Sequence, residues 1–223
     1  MRVMSRRIKG AIVGFIVALL VAMVVGGWNV HARTVRSGIP GAVIPSWQLT
    51  LMAYGSKLRL PDRLDWACDL AGRLESPFWT PGRTEIRESA KALGDYLRNQ
   101  SLALEPEIAR MAVNDSYWLD AMLTWEHLHG HPAYSDEWWE AKHACVAAIV
   151  MSQLSSYRAQ YLGVTHEGRP VVYVNAYCRH SNGEWYERLI PHRVIDGGLC
   201  YAHAYYDPGT QAIVKFWINS SAG

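Results

Sequence analysis

Residues 10–28, GAIVGFIVALLVAMVVGGW, most constrain this chain, because they form an apolar run without a single charge. At about 1.5 Å of rise per residue, a helix over this run spans roughly 28 Å, close to the ~30 Å hydrocarbon layer of a bilayer. Four cations and no acid precede it: Arg2, Arg6, Arg7 and Lys9. This asymmetry predicts that residues 1–9 are a cytoplasmic flank and that the rest of the chain is exported.

Two forms of export fit this N-terminus. Residues 10–28 can be a retained transmembrane anchor, which the length of the run and its Leu and Val content favour. They can also be the core of a cleaved signal peptide, with VHA at residues 30–32 as the cleavage site. Both forms place the body in the periplasm of a bacterium, either held at the inner membrane or released. Residues 29–47 hold two Pro and two Gly without a sustained period, which predicts a linker.

The charge of the body excludes one class of partner. The chain has a formal net charge of +2, and without the four N-terminal cations the remainder carries −2. A nearly neutral body offers no basic stripe of the kind that nucleic-acid binding requires. We therefore expect no nucleic-acid partner.

Residues 48–163 have helical periodicity, interrupted by Pro and Gly. Helices are predicted from Pro61, over residues 84–98, from Pro106, and from a cap at Asn114 or Asp115 to the break at Gly130. The fifth and longest is predicted from the capping Ser135 to Gly163. Its apolar stripe consists of Trp139, Val146, Val150, Leu154, Tyr157 and Tyr161.

Residues 164–223 change to a strand pattern rich in Val, Ile, Tyr and Trp. Four strands are predicted, at residues 170–178, 185–195, 199–207 and 212–219, with turns between them. The expected fold class is α+β: an N-terminal transmembrane or signal helix, a helical domain, and a four-stranded antiparallel sheet packed on the long helix.

Cys178 and Cys200 lie at the edges of this predicted sheet. In a simple meander they are about 30 Å apart, far beyond the ~5.5 Å between Cα atoms in a disulfide. A bond requires residues 179–197 to form an excursion, so that the first and third predicted strands meet directly. Strand geometry alone leaves both arrangements open.

The stretch VNAYC…DGGLCYAHAYYD…N resembles a C-terminal module of uncharacterised exported bacterial proteins. That module shares an Asn-x-x-Cys, an Asp-Gly-Gly-x-Cys-Tyr and a following Tyr-Asp, here at residues 175–178, 196–201 and 206–207. The likeness covers about residues 171–219 and implies no activity. Ala202 and His203 depart from it, because more hydrophobic residues are expected there.

The co-occurrence of both cysteines in this module implies a Cys178–Cys200 disulfide. An exported chain with four cysteines favours two bonds, and the second is then Cys68–Cys145, between two helices. Four thiols can also bind zinc, but the chain has no Cys-x-x-Cys spacing.

A metal site is the alternative source of chemistry. Glu126-x-x-His129 and Glu140-x-x-His143 repeat the spacing with which di-iron bundles place two ligands on one helical face. On consecutive antiparallel helices these pairs can converge on Fe, Zn or Mn. Such bundles need two more inward carboxylates from other helices, and only Glu88 or Asp95 offers itself, which weakens the metal interpretation. The first expectation remains a chain without a cofactor and without catalytic residues, since no hydrolase signature occurs.

Aromatic residues suggest a binding role. A stacking platform for a sugar or peptide can be built from Trp138, Trp139, Trp185, Tyr186, Trp217 and the Tyr201/Tyr205 face. We therefore expect a non-catalytic envelope protein that binds another envelope protein or cell-wall material. The alternative is the metal-dependent enzyme. A third possibility is a secreted inhibitor or lectin-like module that depends on exposed Trp185 or Trp217.

Overall fold

The computed structural model describes residues 39–56, 70–115, 118–178 and 198–219. The chain divides into two units, Met1–Thr34 and Val35–Gly223, and every described residue belongs to the second. The predicted basic flank at residues 1–9 and the predicted transmembrane or signal helix at residues 10–28 lie outside the described residues. None of the described helices has both the length and the apolar character needed to cross a bilayer.

Five α-helices have their bounds in the described part of the chain. They are α1 (Ser46–Ser56), α2 (Arg83–Ser101), α3 (Pro106–Asp115), α4 (Trp118–His129) and α5 (Asp136–Ser152), and residues 70–73 are also helical. Ser135 caps α5, because its Oγ accepts a hydrogen bond from the Trp138 N–H at 3.2 Å. Gly130 ends α4 with a left-handed φ of 66°, and its N–H donates to the Glu126 carbonyl at 2.8 Å. The predicted cap and the predicted helix break are therefore confirmed.

The sheet differs from the prediction. Its strands are β1 (Gly41–Ile44), β2 (Glu75–Trp79), β3 (Tyr157–His166), β4 (Arg169–Cys178), β5 (Tyr201–Asp207) and β6 (Ala212–Ile218). The order is β1-β3-β4-β5-β6, with β2 also paired to β3. The β1–β3 pair is parallel and the other pairs are antiparallel. The protein is α+β, but the predicted four-stranded antiparallel sheet is wrong, because the sheet is mixed and has six strands.

Strands β1 and β2 lie in segments for which the sequence predicted a linker and helices. Both pair with the same side of β3, β1 along residues 159–162 and β2 along residues 163–165. Each contact requires a glycine. A Cβ on Gly41 would lie 2.1 Å from the Ala159 carbonyl oxygen, and a Cβ on Gly163 would lie 2.3 Å from the Trp79 carbonyl oxygen. Glycine thus marks close backbone approach at both positions.

The long helix is shorter than predicted. It ends at Ser152, not near Gly163, and the strand β3 starts at Tyr157. Tyr157, Ala159 and Tyr161 alternate into the core, as a strand requires. Tyr157 and Tyr161 are four residues apart, a spacing that fits both a helix and a strand. The apolar stripe predicted for the helix therefore included residues that belong to β3.

Three clusters of buried side chains hold the second unit together. Helices α2 and α5 cover one sheet face, in a cluster that includes Ile86, Leu93, Val146, Tyr161, Val174 and Ala204. Helix α1 contributes Leu49 to the opposite face, against Leu162, Val164 and Tyr173. Helices α3, α4 and α5 form the third cluster, around Ile108, Met122, Trp125, Trp138 and Cys145. Helix α5 therefore packs on both the sheet and the α3–α4 pair.

Candidate functional site

The predicted metal ligands on α4 are engaged in other contacts. Glu126 accepts a hydrogen bond from the Trp138 indole N–H. His129 uses both ring nitrogens, with Nδ1 2.9 Å from the Trp125 carbonyl oxygen and Nε2 2.9 Å from Glu105 Oε1. The His129 ring also stacks on Trp125, with centroids 4.8 Å apart. These contacts fasten the end of α4 to the start of α3 and leave neither ring nitrogen of His129 open for a metal.

The predicted ligands on α5, Glu140 and His143, are both exposed. Across the described residues, no group of three or more His, Cys, Asp or Glu side chains could hold a metal ion. The two Glu-x-x-His pairs are therefore not brought together. Their spacing reflects one turn of each helix, which places two residues on one face without making the faces of the two helices converge.

The disulfide implied by the sequence resemblance is present. Strands β4 and β5 pair directly, with Tyr177 opposite Tyr201, and residues 179–197 connect them. This pairing brings Cys178 and Cys200 together in a disulfide with a Cα–Cα distance of 4.8 Å. The second predicted strand, residues 185–195, lies outside the described residues. The strands on either side of residues 179–197 therefore pair directly, as the predicted excursion requires.

Cys145 is a buried free thiol, contrary to the predicted Cys68–Cys145 bond. Cys68 itself lies outside the described residues. The Cys145 Sγ lies 3.7 Å from the Met122 Sδ, within the cluster formed by α3, α4 and α5. Burial raises the pKa of Cys145 to about 12. The thiol thus remains protonated at neutral pH and serves as a small apolar side chain.

Other residues of the resemblance module hold the sheet together. Asp207 Oδ1 accepts hydrogen bonds from the N–H groups of Gly209 and Thr210, at 2.7 and 3.4 Å, and so shapes the β5–β6 turn. Its Oδ2 lies 3.3 Å from Arg169 Nη1 on β4. Asn175, fully buried on β4, donates to Gln160 Oε1 at 3.0 Å. The module therefore carries residues that stabilise the fold, and its Asp207 is a turn residue.

His203 departs from the module and is also structural. Its Nδ1 lies 2.9 Å from the Tyr173 hydroxyl oxygen and its Nε2 lies 2.8 Å from Asn219 Oδ1. Its ring stacks on Trp217, with centroids 5.2 Å apart. Burial lowers the pKa of His203 to about 4, although the hydrogen bond to Asn219 acts in the opposite direction. Burial also raises the pKa of Tyr173. Both groups are therefore neutral near pH 7.

The predicted aromatic platform divides into separate parts. Trp217 and Tyr205 pack around Tyr173 on the sheet, with ring centroids 5.2 to 5.8 Å apart. Tyr201 is buried. Trp185 and Tyr186 lie outside the described residues. Among the described residues of the predicted platform, only the Trp138–Trp139 pair belongs to an aromatic group that is open to solvent.

This group, which we call the indole–lysine cluster, consists of Trp118, Tyr134, Trp138, Trp139 and Lys142. Trp138 is perpendicular to both Trp118 and Trp139, with centroids 6.2 and 4.9 Å apart. Trp138 is buried, whereas Trp139 is 42% exposed and Tyr134 is 73% exposed. The cluster therefore has a buried floor and an exposed aromatic rim.

Lys142 lies at the centre of the cluster. Its Nζ is 4.2 Å from the ring centroid of Trp118, 4.7 Å from that of Trp139 and 5.3 Å from that of Trp138. These are cation–π distances. Burial lowers the pKa of Lys142, and the side chain is half-buried. The cluster can thus offer a sugar or peptide both flat apolar faces and one ammonium group.

The origin of the cluster is local. Trp138 and Lys142 are four residues apart, and Trp139 and Lys142 three apart, so one turn of α5 brings all three together. Tyr134 precedes the capping Ser135 and has a left-handed φ of 68°. Trp118 comes from the first turn of α4. The spacing of Trp138, Trp139 and Lys142 was visible in the sequence, but the approach of Trp118 depends on the packing of α4 on α5.

A second exposed surface lies on α1. A shallow groove there is lined by Ser46, Trp47, Thr50, Leu51, Tyr54 and Phe78. Trp47 and Tyr54 are among the most exposed large apolar side chains of the described residues. Helix α1 contains no charged residue, and the described residues that line the groove carry apolar, indole or hydroxyl groups. The described residues that line the groove therefore include no charged group that could bind a polar ligand, whereas the indole–lysine cluster has Lys142.

Comparisons of the chain with protein-family models, with curated proteins and with solved structures found no match. The candidate site is therefore defined by its own geometry. The indole–lysine cluster combines exposure, aromatic faces and a cation, and we take it as the candidate site.

Proposed function

We propose that this chain is an exported, non-catalytic binding protein of the bacterial envelope, and that the indole–lysine cluster binds cell-wall material. The exposed aromatic rim beside Lys142 carries the proposal. Trp139 and Tyr134 expose large apolar faces next to the exposed polar residues Glu137, Glu140 and His143. Apolar groups rimmed by polar residues are typical of interaction sites.

The backbone conformation of Tyr134 in the rim lowers the stability of the fold, which favours a binding role for this residue. Tyr134 adopts a left-handed backbone conformation, with φ of 68°, which costs an L-residue about 1 kcal/mol. Glycine adopts this conformation without that cost. A tyrosine at this position thus sacrifices some stability and presents a 73% exposed ring. Such local strain is common at functional sites.

Three features support export. The N-terminal sequence joins a cationic flank to an apolar run, and the resemblance of residues 171–219 is to exported proteins. The Cys178–Cys200 disulfide is typical of proteins that fold in an oxidising compartment. We propose the periplasm as this compartment, with the body either anchored to the inner membrane or released after cleavage. The mass of the mature N-terminus, measured from the producing cells, distinguishes these two forms.

Co-sedimentation with purified peptidoglycan sacculi tests the binding role. The full-length protein is compared with Trp139→Ala and Tyr134→Gly. The second variant removes a ring at a backbone position that suits glycine, so it tests binding with little risk to the fold. Leu102→Ala is the matched control, because Leu102 is 75% exposed and lies at the end of α2, outside the cluster.

We expect both cluster variants to bind sacculi at least ten times more weakly than wild type, which corresponds to about 1.4 kcal/mol. Leu102→Ala should bind like wild type. Wild-type protein that does not sediment with sacculi contradicts the proposed function. Equal sedimentation of all four proteins contradicts the assignment of the cluster as the binding surface.

A further inference from the structure

We infer that the indole–lysine cluster is selective for an acidic sugar, whose carboxylate pairs with Lys142 while its ring stacks on Trp139 or Tyr134. This inference rests on the proposed function and specifies its ligand. It follows from the position of Lys142, the rings around it and the acids near the cluster.

Lys142 has indole neighbours but no described acidic partner. The ion pairs between described residues use Lys91, Arg98, Arg110, His129 and Arg169 as their cations. No described carboxylate lies within 4.0 Å of the Lys142 Nζ. Glu126, which lies at the floor of the cluster, accepts a hydrogen bond from the Trp138 indole N–H. Among the described residues, the contacts of the Lys142 ammonium group are therefore ring faces and not a carboxylate within 4.0 Å.

Ring faces stabilise an ammonium group without neutralising it. The three indoles carry quadrupoles but no net charge, so the Lys142 cation keeps its attraction for an anion. Burial lowers its pKa, because water solvates the charge less well here than at an open surface. A carboxylate that reaches this site gains more than at a fully exposed lysine, because the screening by water is weaker.

The shape of the rim favours a sugar over a peptide. Trp138 and Trp139 are perpendicular, and Tyr134 is tilted by 50° to Trp139, with centroids 6.1 Å apart. The exposed rings of Trp139 and Tyr134 thus form an angled wall above the buried Trp138, and this wall can contact one face and one edge of a pyranose. Peptides that bind by strand addition need an open strand edge. The cluster lies on two helices and the turn between them, so it offers no such edge.

Two sugars that differ in one lactyl ether group, which carries a carboxylate, provide the test. The acidic probe is the peptide-free wall disaccharide of N-acetylglucosamine and N-acetylmuramic acid, which has a free lactyl carboxylate. The neutral probe is the dimer of N-acetylglucosamine, which lacks that group. Binding of each to the full-length protein is measured by calorimetry at low and high salt, for wild type, Lys142→Gln, Lys142→Arg and Trp139→Ala. Thermal unfolding of each variant verifies that it is folded.

We expect wild type to bind the acidic sugar at least ten times more tightly than the neutral one at low salt, with a smaller ratio at high salt. Lys142→Gln should bind both sugars equally, and Lys142→Arg should keep the preference. Trp139→Ala should weaken both sugars. If Lys142→Gln is unfolded, two other results test the inference. A preference of wild type for the acidic sugar that does not decrease at high salt overturns it, and so does a Lys142→Arg variant that binds both sugars equally.

The possible failures are distinct. Equal affinity of wild type for both sugars, with loss of binding in Trp139→Ala, overturns the selectivity and leaves the proposed function intact. Binding of an acidic peptide such as oligoglutamate, with no binding of either sugar, overturns the inference in favour of a peptide ligand. Absence of binding to sugars and sacculi alike overturns the proposed function as well.

Discussion

His203 allows the physical account of the fold to be tested by pH. It is 5% exposed and lies on β5 between two groups that bond its ring nitrogens. Asn219 Oδ1 can only accept, so His203 Nε2 must donate to it, and Nδ1 then accepts from the Tyr173 hydroxyl. Protonation of Nδ1 removes this acceptor, so the Tyr173 hydroxyl must turn its hydrogen away and accept from the ring instead.

The sign of the effect follows from the neutral state. Burial holds the pKa of His203 at about 4 in the folded protein, against an ordinary value of 6.5. Below pH 6.5 the unfolded chain takes up a proton at this residue and the folded chain does not. Stability therefore falls as the pH decreases from 6.5 toward 4 and levels off below 4. The difference between these pKa values corresponds to about 3 kcal/mol in total.

Urea unfolding, followed by circular dichroism, measures the contribution of His203 to the pH dependence of the free energy of unfolding. Wild type is compared with His203→Gln, which keeps a neutral donor near Asn219 and cannot titrate. Carboxylates elsewhere affect both proteins equally, so their contributions cancel in the difference. From pH 7.5 to pH 4.5, wild type should lose about 2.5 kcal/mol more than the variant. Parallel pH profiles refute the reasoning. An NMR titration that shows the His203 ring protonated above pH 5.5 refutes it independently.

Three further predictions concern the sheet, and a fourth, in helix α2, is the control for one of them. Reduction of the Cys178–Cys200 disulfide, whose cysteines are 22 residues apart, should lower the free energy of unfolding by about 3 kcal/mol. Cys178→Ala/Cys200→Ala should be insensitive to reductant, and an insensitive wild type contradicts the bond. Gly163→Ala places a Cβ 2.3 Å from the Trp79 carbonyl oxygen and should cost about 1–3 kcal/mol in urea unfolding. Gly94→Ala in α2, where the nearest atom is 3.9 Å from the new Cβ, should stabilise by about 0.5–1 kcal/mol. If both glycine variants change the free energy of unfolding in the same direction, the close contact at Gly163 is contradicted. Asp207→Ala removes an acceptor from the Gly209 and Thr210 N–H groups and should cost about 1–3 kcal/mol by thermal unfolding. An unchanged melting temperature contradicts the structural role of Asp207.

The helices were predictable where their ends carry chemical signals. Ser135 begins α5 as a cap, and Gly130 ends α4, because these residues satisfy backbone groups locally. The end of α5 was not predictable, since Tyr157 and Tyr161 fit either period and Gly163 resembles a helix stop. Gly163 in fact accommodates the Trp79 backbone, a contact between residues far apart in sequence.

The mixed sheet depends on contacts that no local pattern contains. Strand β1 has four residues between two prolines, too few to show alternation, and β2 includes Pro77. Among the described strands, both pair with β3 alone. The direct β4–β5 pairing was one of two arrangements that the sequence allowed, and the Cys178–Cys200 bond is consistent with it.

The candidate site was predictable in part. Trp138 and Trp139 stood out by their type, and one helical turn connects them to Lys142. The contribution of Trp118 and the burial of Trp138 arise from the packing of α4 on α5. The Glu-x-x-His pairs led to a wrong expectation of convergence, because the spacing of two residues on one helix does not determine the distance between two helices.

The most direct test of the proposed function is to locate the ligand on the protein. In nitrogen-15-labelled full-length protein, each tryptophan indole N–H gives its own resonance, and assignment by single Trp→Phe variants identifies those in the cluster. On addition of soluble wall glycan fragments, we expect the largest shifts at Trp139, Trp138 and Trp118, and little change at Trp47 in the α1 groove. Shifts centred on Trp47, or no shift at any indole at fragment concentrations that saturate binding, contradict the account.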